Sequence, residues 1–136
     1  MVNPYAQYKR QSVETMTPVE VVIRLYSEIE KQCAIGIDFV EKKNYAKSND
    51  AFIKAEDCID ALRETLDMSI PISKNLDDLY IFFHDTIVKA NISKDFTELK
   101  KVIPMINELR DAWTQINQMT REEIEAQDKA NSKKKR

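Results

Sequence analysis

The chain has 136 residues, 43% of them hydrophobic and 32% charged, with a net charge of −2 and a pI near 5.5. That length and balance suit one domain with a core of its own and exclude wholesale disorder. A single glycine, Gly36, argues against tight-hairpin β-architectures and glycine-rich phosphate loops, which leaves helices joined by short polar loops. Lys133, Lys134, Lys135 and Arg136 are all basic, so the rest of the chain is more acidic than the total indicates. An acidic body repels a phosphate backbone, and nucleic-acid binding is not expected.

Residues 1–16 read as an N-terminal segment. Asn3-Pro4 is a cap followed by a first-position proline, and Tyr5 and Tyr8 share one face of a short helix. The first bundle helix opens at Thr17-Pro18-Val19-Glu20, a capping box with proline where no N–H is needed. Its apolar stripe is Val22, Tyr26, Ile29, Cys33, Gly36 or Ile37, and Val40. The second helix is expected from Tyr45 to Met68, on Ala51, Ala55, Cys58, Leu62 and Leu66. Pro71 breaks the chain. The third runs from about Ile72 to Ile92 on Leu76, Leu79 or Tyr80, Phe83, Ile87 and Ala90. The fourth opens at Asp95-Phe96-Thr97-Glu98 and continues on Leu99, Val102, Ile106, Leu109, Trp113 and Ile116, with a kink expected at Pro104. Residues 121–136 are polar and expected to fray. Similar helix lengths and short loops predict an all-α, antiparallel up-down four-helix bundle over residues 17–120.

The pattern offers little to a catalyst. The one histidine, His84, has Ile81 three residues before it, so the Glu-x-x-His pair of di-iron bundles is missing. Cys33 and Cys58 are isolated and read as small buried residues, with no metal or disulfide framework. The four stripes carry no charged residue that could hold a polar substrate or move a proton. No metal, cofactor or enzymatic activity is expected. No apolar run reaches the ~20 residues of a membrane span, and the start lacks the character of a signal peptide, so a cytoplasmic protein is expected.

Two helices carry more apolar residues than one stripe needs. Leu79-Tyr80-Ile81-Phe82-Phe83 spreads around the third, and Val19, Val21, Ile23 and Leu25 lie off the main stripe of the first. Scattered exposure and a wide core stripe explain part of this excess; a second apolar surface for a partner's amphipathic helix is the other reading.

Taken in order, these residues resemble the FliS family of flagellar secretion chaperones. The segments are Asn3-Pro4-Tyr5-Ala6-Gln7-Tyr8, Thr15-Met16-Thr17-Pro18-Val19-Glu20, Leu25-Tyr26, Leu66-Asp67, Asn75-Leu76, Leu79-Tyr80, Ala90-Asn91 and Glu108-Leu109-Arg110-Asp111-Ala112-Trp113. The chain departs from the family pattern at Ser27-Glu28, at Ser69-Ile70-Pro71-Ile72 and at Pro104. The resemblance implies a bundle that binds the disordered C-terminal segment of flagellin and prevents its premature polymerisation. It implies partner-binding roles for Asn3, Tyr5, Tyr8, Leu25, Tyr26, Leu79 and Tyr80, with a core role competing at Tyr26, Leu79 and Tyr80. A monomer or weak homodimer is expected. The flagellar export gate and an anti-sigma factor are further partners known in the family, neither readable from these residues. The alternative from another class is a helical signalling adaptor or dimerisation module, which strong self-association without flagellin binding would identify.

Overall fold

A computed structural model describes residues 16–134, with side chains through 132. Within it are four helices and no strand: α1 (Pro18–Glu41), α2 (Tyr45–Glu64), α3 (Pro71–Ser93) and α4 (Thr97–Lys134). Each helix reverses direction at a short loop. α1 packs most extensively on α2, α2 on α3, and α4 closes the ring against α1 and, more thinly, α3. This is the antiparallel four-helix bundle expected from the pattern.

The helix ends follow from local chemistry. Thr17 accepts from the Glu20 N–H at 3.2 Å, and Pro18 occupies the first position. Asn44 caps α2 through the Lys47 N–H. At α4, Asp95 accepts from both the N–H (3.0 Å) and the hydroxyl (2.7 Å) of Thr97. α2 stops at Glu64, short of the expected Met68. The Thr65 hydroxyl donates to the Leu62 carbonyl at 2.6 Å, and Asp67 accepts from the N–H and hydroxyl of Ser69. Such local side-chain bonds compete with helical ones and end the helix early.

The core is formed by Leu25, Tyr26, Ile29 and Cys33 of α1, Phe52, Ala55, Cys58, Ile59 and Leu62 of α2, Tyr80, Phe83, Ile87 and Ala90 of α3, and Leu99, Val102 and Ile106 of α4. Leu25, expected off the main stripe, belongs to this core, so the buried face of α1 is wider than one stripe. Both cysteines are buried and neither is in a disulfide.

The lone glycine is used for packing. A Cβ on Gly36 would come within 2.7–2.9 Å of the Phe52 ring, and the Gly36 carbonyl accepts from the Ser48 hydroxyl at 2.8 Å. The two left-handed residues at helix ends are instead lysines, Lys43 (φ 59°) and Lys94 (φ 60°).

α4 differs from expectation at its far end. Where the sequence predicts fraying, the helix continues through Lys134. Residues 121–134 contain neither glycine nor proline and are rich in Glu, Gln, Lys and Ala, which favour helix. Pro104 lies inside α4 without ending it.

Candidate functional site

The bundle core thins toward the end where α1 begins, α2 stops and α3 starts. Along α4, Leu99, Val102 and Ile106 are buried, Leu109 and Trp113 are half-buried, and Ile116 is exposed. A groove of about 530 Å³ opens there. Pro18, Val19, Val21 and Val22 of α1 form one wall, and Leu66, Ile70, Ile72 and Leu76 of the α2–α3 turn and early α3 form the other. Tyr80 and Trp113 line it as well. The early stop of α2 shapes the second wall, because it leaves Leu66 and Ile70 in a turn instead of on a helix face.

Apolar residues at this rim stay in contact with water. Ile70 is 48% and Ile72 58% exposed, and Met68 beside them is exposed too. Further along α3, Ile81 and Phe82 remain exposed although Tyr80 and Phe83 of the same run are buried. Large apolar residues clustered at a concave surface mark interaction sites.

The deep polar feature beside the groove is a tyrosine pair. The hydroxyls of Tyr26 and Tyr80 lie 2.5 Å apart, and the rings meet edge to face with centroids 6.1 Å apart. Burial raises the pKa of both, that of Tyr26 furthest, so neither ionises in ordinary conditions. For Tyr26, the hydrogen bond and charge interaction with Tyr80 add to the rise, and Trp113 opposes it as a donor.

The sequence-derived residues divide clearly. Tyr80 lines the groove, and Tyr26 lies behind it in hydrogen-bond contact. Leu79 is half-buried and packs against the core, and Leu25 is buried in the core. Asn3, Tyr5 and Tyr8 lie outside the described residues. Val19 and Val21, singled out as surplus on α1, are wall residues. Ile70, Ile72 and Trp113 complete the groove, yet nothing in their spacing separates a groove lining from a turn or a core stripe.

Charged chemistry sits at the margins. Arg110 of α4 donates to Glu30 of α1 at 2.5 Å, in a half-buried pair absent from the sequence-level stripes. The other Glu30 oxygen, Oε1, is buried without a hydrogen-bond partner among the described residues. Burial raises the Glu30 pKa despite Arg110. His84 is half-buried, 3.8 Å from Asp60 and 3.9 Å from Asp85. Among the described residues there is no group of three or more His, Cys, Asp or Glu placed to hold a metal ion, and no helix is long and apolar enough to cross a membrane.

A helical bundle with an open apolar groove defines the class of a helical binding protein. The comparisons with known proteins name the family. The family model described as "Flagellar protein FliS" matches residues 1–120, and the chain belongs to that family. It is 32% identical over 121 residues to the flagellar secretion chaperone FliS of Bacillus subtilis, covering 89% of this chain and 91% of the relative. It is 33% identical over 115 residues to the flagellar secretion chaperone FliS of Vibrio cholerae, covering 80% and 85% of the two chains. These relatives support a role in flagellar export as a chaperone, with a protein as its partner.

Proposed function

We propose that this protein is a non-catalytic, cytoplasmic export chaperone that binds the C-terminal segment of flagellin and keeps it from polymerising before export. The observation that carries this reading is the apolar groove at the open end of the bundle. Its volume suits several large apolar side chains, and its rim holds half-exposed isoleucines where a monomer with no partner gains nothing from them. The exposed Ile81 and Phe82 on α3 supply more apolar area on which an amphipathic segment can fold as helix. Asn3, Tyr5 and Tyr8, which precede the groove wall at Pro18 in sequence, are proposed to act on the same surface, together with Leu79 and Tyr80. Leu25 and Tyr26 are proposed to act from the core beneath it.

Calorimetry with the C-terminal segment of the organism's own flagellin is the test. Tight binding with helix gain by circular dichroism and a negative heat-capacity change is expected, because coupled folding buries on the order of 1,000–3,000 Å². Absence of binding at micromolar concentrations overturns the reading. Tyr5→Ala combined with Tyr8→Ala is expected to change flagellin affinity with bundle melting nearly unaltered. A large fall in melting temperature with unchanged affinity would make those tyrosines structural.

A further inference from the structure

Away from the apolar groove, the second half of α1 and the first half of α2 form a basic one. It measures about 290 Å³ and is lined by Lys31, Lys47 and Lys54, by the half-buried Ile35 and Phe39, and by a single acid, Asp50. None of these four charged groups has an ion-pair partner among the described residues. The Lys47 Nζ lies 5.5 Å from the centre of the Phe39 ring instead, and Lys42 Nζ lies 5.9 Å from the same ring. Exposed cations gathered around apolar side chains stand out in a chain of net charge −2. Such a groove fits an acidic segment that presents a large apolar side chain.

The chain itself carries a segment of that chemistry. Past Arg121, α4 reads Glu122-Glu123-Ile124-Glu125-Ala126-Gln127-Asp128, all exposed, with Ile124 at 54%. On the helix, Glu123 and Glu125 flank Ile124, and Asp128 stands one turn further on the same face. These three acids also have no ion-pair partner among the described residues. The sign reverses at Lys129, so only the stretch up to Asp128 matches the groove. It cannot reach the groove of its own chain. The Arg121–Glu20 ion pair sets residue 121 level with the start of α1, and from there α4 runs away from the bundle. The groove lies the other way, at Ile35 and Phe39, about 22–28 Å along α1 from Glu20.

We propose that two copies of this chain pair antiparallel, each laying residues 122–128 of its α4 into the basic α1–α2 groove of the other. Ile124 covers Ile35 and Phe39, while Glu123, Glu125 and Asp128 meet Lys31, Lys47 and Lys54. Two antiparallel copies that overlap by about 20 Å along their axes bring both contacts into register at once. The pair is two-fold and closed, so it stops at two copies and does not grow into a filament. Exposed charge pairs contribute little singly, so the pair forms at high chain concentration and loosens with salt.

Nothing in this pairing depends on flagellin, and the full chain alone tests it. Sedimentation velocity over a concentration series reaching about 1 mM is expected to show a monomer–dimer equilibrium. Pairing should weaken at least about threefold between about 0.1 M and about 1 M salt, as the screening length falls from ~10 Å to ~3 Å. Lys31→Glu with Lys47→Glu and Lys54→Glu reverses the groove, and Glu123→Lys with Glu125→Lys and Asp128→Lys reverses the extension. Each triple variant alone is expected to pair at least about tenfold more weakly, because its groove and extension now repel. Mixed in equal amounts, the two variants are complementary at both contacts, and pairing should return to within about threefold of the unaltered chain. A chain that stays monomeric throughout the series overturns the proposal. So does a dimer that survives both reversals, or a mixture that fails to restore pairing. Should either variant fail to fold, zero-length carbodiimide coupling decides, using an equal mixture of unlabelled and isotope-labelled copies of the unaltered chain. Links between copies are expected from Lys31, Lys47 or Lys54 to Glu123, Glu125 or Asp128. Links between copies at other positions only overturn the proposal.

Discussion

At the scale of single residues, Gly36 shows how one missing atom positions two helices. A glycine inside a helix ordinarily costs about 1 kcal/mol relative to alanine. Here that cost is offset by contact, because the Phe52 ring occupies the space a methyl group would need. Phe52 is itself fully buried and stacked on Phe96, so it has little freedom to withdraw. Gly36→Ala gains helix propensity but overpacks the α1–α2 contact, a strain of about 1–3 kcal/mol. A net loss of stability is expected, read as a melting temperature several degrees lower, with helix content unchanged. A melting temperature at or above that of the unaltered chain would mean that Phe52 moves easily. The sequence flags Gly36 as unusual by its solitude, yet its partner across the bundle is 16 positions away and only the fold brings them together.

At the scale of elements, α4 is 38 residues long against 24, 20 and 23 for the others. The excess of roughly 14 residues extends about 20 Å past the bundle at 1.5 Å per residue. Arg121 reaches Glu20 at the start of α1 in an ion pair. The described side chains beyond it are exposed. A chain ending after Arg121 is therefore expected to melt within about 2 °C of the full chain, because surface residues away from caps and core contribute little. Its circular dichroism should lose helical signal in proportion to the residues removed. A large drop in melting temperature would reveal a packing role for the extension.

The sequence makes helix starts legible because capping chemistry is local: Thr17, Asn44 and Asp95 each act within three residues. The end of α2 is less legible, since the apolar stripe runs on through Leu66 while Thr65 and Asp67 divert the backbone. The groove is harder still. Val19 and Val21 stand out as surplus apolar residues, but Leu66, Ile70 and Trp113 look like core or turn until the helices are placed around them. Conversely, Leu25 looks surplus and is core. Periodicity says how many faces a helix has to bury, not which neighbour covers each.

At the scale of the whole molecule, Glu30 ties stability to pH through the α1–α4 contact. Its carboxyl is held between Arg110, which favours the charge, and burial, which opposes it more strongly. The folded pKa is thus above the unfolded one, so its contribution is fully present below the ordinary glutamate range and is lost as pH rises through the folded value. Glu30→Gln removes that titration. Relative to the unaltered chain, the variant is expected to gain stability as pH rises from about 4 toward neutrality, measured by urea unfolding at a series of pH values. A constant difference across the series would show that Glu30 titrates alike in both states.

The two cysteines give the molecule a property unrelated to its partner. Burial drives the Cys33 thiol up to about 12, and Cys58 is equally shut off from water. At neutral pH only about one Cys33 in a hundred thousand is a reactive thiolate, and it is out of reach of reagent. Alkylation therefore has to wait for the helices to part. The chain carries its own gauge of breathing: the rate at which a maleimide consumes these thiols counts the openings of the bundle, and a bound ligand that clamps the helices should slow the count.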